Sequence, residues 1–262
     1  MRNTILCVFS LLLFASCQIR EEIRFNEDGS GSYEVGFDMS EMMKMGEGND
    51  SLPPQAAIDT LIIFATFLEE KKDSIAQLPK AEQEKLEALR PLRFAMKMSE
   101  EENQMNIRLS YAFDKLEDIS KFAEAVEAAD IKELDQGVNP MEGMMPADAG
   151  GADSVPKNGM EDLFKMAESF DTEFNKKRFS RKVTEKAMAD MLQKKDTTLK
   201  ADDPFVDMMR FKQVYRFPFK VKNVSNPNAK ILSDFKGVEL EANMYEMNND
   251  PEYFNIEVEF ER

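Results

Sequence analysis

The first seventeen residues constrain this chain more than any other stretch. Arg2 supplies a positive charge, and Ile5-Leu6-Cys7-Val8-Phe9-Ser10-Leu11-Leu12-Leu13-Phe14 follows as an almost unbroken apolar run. The small residues Ala15 and Ser16 come next, and then Cys17. A charged start, a short apolar core and a small-residue exit describe a secretory signal peptide over residues 1–16. The run is about ten residues, half of the roughly 20 needed to span a bilayer. No later stretch is apolar enough to span either. The longest, Leu61 to Leu68, soon meets Glu69-Glu70-Lys71-Lys72.

Phe14-Ala15-Ser16-Cys17 resembles the lipobox of bacterial lipoproteins, with Phe14 in place of the usual Leu. The resemblance implies cleavage between Ser16 and Cys17, a diacylglycerol on the Cys17 sulphur and acylation of the new amine. Each buried CH₂ contributes about 0.8 kcal/mol, and two or more chains make a stable anchor. The expected location is therefore the cell envelope, lipid-anchored. Gln18 after the cysteine, where Asp would be a retention signal, is compatible with sorting to the outer membrane of a Gram-negative bacterium.

Cleavage also decides the chemistry of what remains. Cys7 leaves with the signal and Cys17 becomes a thioether, so the mature protein has neither a free thiol nor a disulfide. The chain has no histidine. Thiol nucleophiles, histidine-based triads and histidine-ligated metal sites are excluded. The formal charge is −16, so nucleic acid and anionic lipid surfaces are not expected partners. The expected contacts are the membrane, through the N-terminal lipid, and an envelope protein or an apolar ligand. No cofactor is expected.

Alternation begins almost at the anchor. Ile19, Ile23 and Phe25 face one way, interrupted by Glu21; after Asn26-Glu27-Asp28-Gly29-Ser30-Gly31, Tyr33, Val35, Phe37 and Met39 alternate cleanly. This predicts a β-hairpin. Ile23 to Gly31 and Phe37-Asp38-Met39-Ser40, just after a lipobox, resemble a group of lipoproteins from Bacteroidota. The same hairpin is more distantly similar to LppM-type lipoproteins of actinobacteria. That second family implies a lipid or glycolipid ligand, and no binding residue carries over. Asp28-Gly29-Ser30-Gly31 invites a calcium-loop reading, but the twelfth position from Asn26 is Phe37, where a bidentate Glu is required. A turn is the better reading.

Further along, Ile58, Ile62, Ala65 and Leu68 give a helical stripe over about Gln55 to Gln77, with a second helix from Lys80 to Leu89. Leu92 to Met98 and Met105 to Phe113 predict a second hairpin. Asp114 is placed to cap a helix buried through Leu116, Ile119, Phe122 and Val126. Glycine and proline recur over residues 133–161, which read as a flexible insertion between a segment 17–132 and a segment 162–262. Phe170 to Phe174 and Phe179 to Val183 predict a third hairpin, and Thr184 a capped helix to about Lys194. The longest alternation runs from Met209 to Val221, with Pro218 marking a bulge or edge. Val238 to Ala242 and Phe254 to Phe260 complete the strands. The expectation is an α+β protein whose two segments share a mostly antiparallel sheet of about nine strands, with three or four helices packed on one face.

Three groups invite a site and each has a plainer reading. Met39, Met42, Met43 and Met45, Met141, Met144 and Met145, and Met208 with Met209 are soft-ligand candidates for copper, but no imidazole or free thiol joins them, and packing explains them better. Arg210, Lys212, Arg216, Lys220 and Lys222 form a basic stripe able to meet acidic sugars or lipid headgroups, with the plainer reading of a solvated face balanced by Glu257, Glu259 and Glu261. Ser154 to Lys157 and Ser233 to Lys236 match Ser-x-x-Lys outside the rigid helix start such a nucleophile needs. The leading functional expectation is a non-catalytic envelope lipoprotein. A carrier with a Phe- and Met-lined cavity is the second, and a carboxylate hydrolase the third.

Overall fold

The computed structural model of the chain describes residues 17–41, 57–99, 101–121, 168–203 and 206–261. The signal segment with Ser16, the residues Met42, Met43, Met45, Phe122 and Val126, the 133–161 insertion and Ser154 to Lys157 lie outside the described residues.

β1 (Cys17–Phe25) and β2 (Gly31–Asp38) form the first hairpin, in register from Gln18 opposite Asp38 to Phe25 opposite Gly31. Two glycines make its turn possible. Gly29 sits at φ 90°, and a Cβ on Gly31 would meet the Arg24 carbonyl oxygen at 2.0 Å. Asp28 Oδ1 accepts from the Ser30 amide (3.0 Å) and hydroxyl (2.7 Å), and these bonds hold its carboxyl below the usual range. The loop is a turn whose carboxylate serves the turn.

β3 (Ile58–Ile63) comes next, followed by α1 (Phe64–Glu70), α2 (Lys72–Ile75) and α3 (Lys80–Ala88). The predicted long helix is therefore wrong in its first third. The run Ile58-Asp59-Thr60-Leu61-Ile62-Ile63 carries β-branched residues, and pairing with the next strand prevails over its helical stripe. β4 (Leu92–Ser99) and β5 (Gln104–Phe113) follow, with Leu92, Phe94, Met96 and Met98 of one and Met105 to Phe113 of the other buried at alternate positions. The Asp114 cap is also corrected. Helical structure starts at Asp118, whose own Oδ2 accepts from the Lys115 amide at 3.0 Å.

The C-terminal segment adds β6 (Phe170–Phe174), β7 (Arg178–Val183), α4 (Glu185–Gln193), β8 (Met209–Arg216), β9 (Val221–Val224), β10 (Lys230–Ile231), β11 (Gly237–Asn243), α5 (Met244–Asn249) and β12 (Ile256–Phe260). A 3₁₀ turn, Val206–Met208, leads into β8. Thr184 Oγ1 caps α4 from the Ala187 amide, as predicted, although Leu192 on that helix is exposed.

The class is α+β and mostly antiparallel. Among the described residues twelve strands form two sheets, rather than about nine in one. The large sheet has the order β10-β11-β8-β1-β2-β5-β4-β3 and takes strands from both segments; the small one has the order β6-β7-β12-β9. The long alternation at Met209 to Val221 hid the division. β8 ends at Arg216, the chain crosses through Phe217 to Lys220, and β9 resumes in the other sheet. One pair is parallel: β1 runs beside β8, from Cys17 opposite Met209 to Arg24 opposite Arg216.

On the inner face of the large sheet, across β1 and β8, lies the small sheet rather than helices. Phe25 stacks on Phe174 at 4.2 Å between ring centroids, Phe179 lies 4.7 Å from Tyr215, and Phe217 4.8 Å from Phe260. Within this apolar layer sits one ion pair. Arg181 of β7 donates through Nη1 and Nη2 to the two oxygens of Glu21 of β1, both at 2.7 Å, and both side chains are 1% exposed. Nη1 also donates to Tyr215 Oη (3.1 Å), which donates to Gln213 Oε1 (2.6 Å). The guanidinium lies over the Phe170 ring, 4.4 Å from its centroid. Burial works against the Arg181 charge, but the Glu21 carboxylate outweighs it and Arg181 is held above its usual range. Burial and the Glu21 charge push the Tyr33 phenol well above its own.

Removing one partner strands the other charge in the core, at a cost of about 3–5 kcal/mol, whereas replacing both with apolar side chains does not. Glu21→Gln is expected to lower the unfolding free energy from equilibrium urea titration by that amount. Glu21→Leu combined with Arg181→Met is expected to recover more than half of the loss. A single variant unfolding with the parent would show that the pair carries no such constraint.

Candidate functional site

Two ends of β1 matter. Cys17 is its first residue, so no linker separates the predicted lipid-attachment residue from the fold. It sits beside Met209 across the parallel pair and is 6% exposed. Alternation puts it on the inner face with Glu21, Ile23 and Phe25. Burial, with a contribution from the Asp38 carboxylate, pushes its thiol up to about 11.

At the other end of β1 the strand meets a cleft of about 330 Å³. It is lined by Arg24, Asn26 and Glu27 of the first hairpin, Arg216 and Pro218 of the sheet crossing, and Asp234 and Lys236 of the β10–β11 turn, with Phe25 and Phe217 beneath. Arg216 reaches Glu22 at 3.2 Å through Nε and Asp234 at 3.4 Å through Nη1. Arg24 donates to Glu22 at 2.9 Å. Burial acts to raise the Glu22 carboxyl, but the Arg20 hydrogen bond and the charges of Arg20, Arg216 and Arg24 outweigh it and hold it below the usual range. Asp234 Oδ1 accepts from the Lys236 amide at 2.9 Å. Between those two residues Phe235 has φ 58° and a ring 60% exposed. For a bulky side chain that backbone conformation is strained. Hydrogen bonds on both sides hold it: the Val221 amide donates to the Phe235 carbonyl and the Phe217 amide to the Lys236 carbonyl, both at 2.7 Å.

The residues singled out in the sequence scatter. Arg210 pairs with Glu241 (2.9 Å) and Asp207 (3.2 Å), and Lys212 with Glu241 (3.2 Å). Lys220 has no ion pair among the described residues; for the stripe residues on β8 the balancing carboxylates come from β1, β11, the 3₁₀ turn and the β10–β11 turn. Only Lys222 pairs with a residue named for that purpose, Glu259 at 3.5 Å. Met39 is buried at the end of β2 and Met209 opens β8. Ser233 lies in the β10–β11 turn, away from any helix start. Among the described residues no three His, Cys, Asp or Glu side chains are placed to hold a metal ion. No described helix is long and apolar enough to cross a membrane. An apolar pocket lined by Ile19, Phe170, Met191, Phe211, Met247 and Phe254 holds about 30 Å³, room for one or two waters and not for a lipid chain. Sequence reasoning missed the cleft. Its residues come from three separate turns and share no period; Arg216 in the basic stripe, the Asn26 to Gly31 turn, Pro218 and the Ser233 to Lys236 turn were each noticed, but not as one place.

No protein-family model matches the chain, and no curated protein matches it. Among solved structures, the folded domain of the Mycobacterium tuberculosis LppM protein, determined by NMR, is similar at a TM-score of 0.37 and 9% identity, over 94% of this chain and 89% of that one.

The Cys17 environment has a chemical consequence. A thiol pushed from 9.0 to about 11 carries roughly a hundredfold less thiolate at pH 8. In the unprocessed, folded chain, iodoacetamide is expected to alkylate Cys17 about a hundredfold more slowly than in urea. Equal rates would show that the thiol is neither buried nor shifted.

Proposed function

We propose that this chain is an envelope lipoprotein: Cys17 carries the lipid, and the two-sheet domain acts at the membrane by binding rather than by catalysis. The observation that carries the reading is the position of Cys17. The residue that ends the lipobox-like stretch is also the first residue of β1, a strand paired on both sides within the large sheet. A lipid there has no stalk, so the domain rests directly on the bilayer. The formal charge of −16 makes electrostatic adhesion to an anionic surface unfavourable, which leaves the acyl chains to supply the affinity. The buried, protonated thiol implies an order of events, with the lipid attached before β1 closes into the sheet. Gln18 favours the outer membrane as the final address.

The carrier reading receives no support from an apolar pocket of about 30 Å³. The hydrolase reading receives none from the described carboxylates whose titration is shifted. Glu22, Asp28, Glu87, Asp118, Asp196, Glu241 and Glu257 are all held below their usual range, by hydrogen bonds and neighbouring cations, whereas a catalytic acid needs a raised value.

Labelled palmitate tests the reading. The parent chain, expressed in a bacterium with a lipoprotein pathway, is expected to take up label and to partition with membranes. Cys17→Ser is expected to lose both. A serine variant that is still labelled and still sediments with membranes would overturn the proposal.

A further inference from the structure

The cleft at the far end of β1 is a built site of mixed chemistry. Eight residue steps separate Cys17 from Phe25, about 26 Å at roughly 3.3 Å per residue. Arg24, Arg216 and Lys236 bring three cations to its wall, against Glu27 and Asp234 and with Glu22 paired to both arginines. Two of the three are committed. Arg24 and Arg216 are held by Glu22 and Asp234, which fixes their guanidinium groups in place. Lys236 makes no ion pair among the described residues and is exposed. Glu27, Asp234 and the Asn26 amide supply acceptors at the same wall. Phe235, between Asp234 and Lys236 in the chain, is exposed on a strained backbone, a feature that collects at binding sites.

We infer that this cleft binds an acidic sugar unit. A carboxylate- or phosphate-bearing sugar matches each part: Lys236 and the two pre-set arginines take the anionic group, Glu27, Asp234 and Asn26 take hydroxyl protons, and the Phe235 ring covers the apolar C–H face. The volume of about 330 Å³ lies at the small end of ligand clefts, which span roughly 300–1,000 Å³. The cleft's chemistry stands without the anchor. Only the source of the sugar rests on the lipid reading, since a site at the opposite end of β1 from Cys17 faces away from the host bilayer. That position favours a free or wall-borne saccharide over a headgroup of the same membrane.

Calorimetric titration of the full chain in neutral detergent with trigalacturonate, and with maltotriose as its uncharged counterpart, tests the inference. Trigalacturonate is expected to bind, more weakly as salt is raised, and maltotriose is not. Lys236→Gln and Phe235→Gly are each expected to weaken binding about tenfold. Glycine relieves the backbone at φ 58°, so Phe235→Gly is also expected to keep or raise Tm. A merely structural Phe235 would leave affinity unchanged. Cys17→Ser is expected to bind like the parent, so failure of the anchor and failure of the cleft are separate results. No binding of trigalacturonate, equal binding of maltotriose, or full affinity in both variants would overturn the inference. Capture of phosphatidylinositol vesicles without trigalacturonate binding would overturn it in favour of a lipid headgroup.

Discussion

The bond between Glu21 and Arg181 is the constraint on which the two sheets depend. A buried carboxylate and a buried guanidinium tolerate no alternative to each other, because either one alone in an apolar layer is far costlier than a misplaced leucine. The geometry is bidentate, so it sets orientation as well as distance. It also sets register. A slip of β1 by one residue would carry Glu21 to the outer face and leave Arg181 stranded, together with the Tyr215 and Gln213 that depend on it. Aromatic packing around the pair supplies bulk, and the pair selects which packing.

Much of the strand pattern was legible in the chain. The hairpins β1–β2, β4–β5 and β6–β7 all show the period of two that a half-buried strand imposes. Thr184 marked its helix start because a hydroxyl at that position has one evident use. Ile58 to Ile63 was misread because a four-residue apolar spacing fits a helix, and only the distant partner strand at Arg93 to Met98 decides otherwise. The crossing between sheets at Phe217 to Lys220 was hidden because the alternation continues straight through it.

Sites are harder to see than strands for the same reason. Glu21 read as a flaw in one apolar face and Arg181 as an unremarked member of another, and nothing local links residues 160 apart in sequence. The cleft draws on three turns, none of which signals its neighbours. Cys17, by contrast, ends a contiguous stretch, Phe14 to Cys17, that is legible without any distant partner. The result is a molecule with a division of labour along one strand. Its first residue ends the lipobox-like stretch, its middle holds the two layers together, and its end lines the cleft.

The parallel pairing of β1 with β8 has a consequence for how the molecule is assembled. β2 follows β1 at once, so one side of β1 is satisfied early, but its other side waits for Met209 to Arg216, with Met209 lying 192 residues after Cys17 (209 − 17). Glu21 likewise stays hydrated until Arg181 has been delivered. A central strand whose second neighbour arrives nearly last makes closure slow, because so long a loop must be ordered before the contact repays it. During that interval β1 presents an open strand edge to any partner able to pair with it.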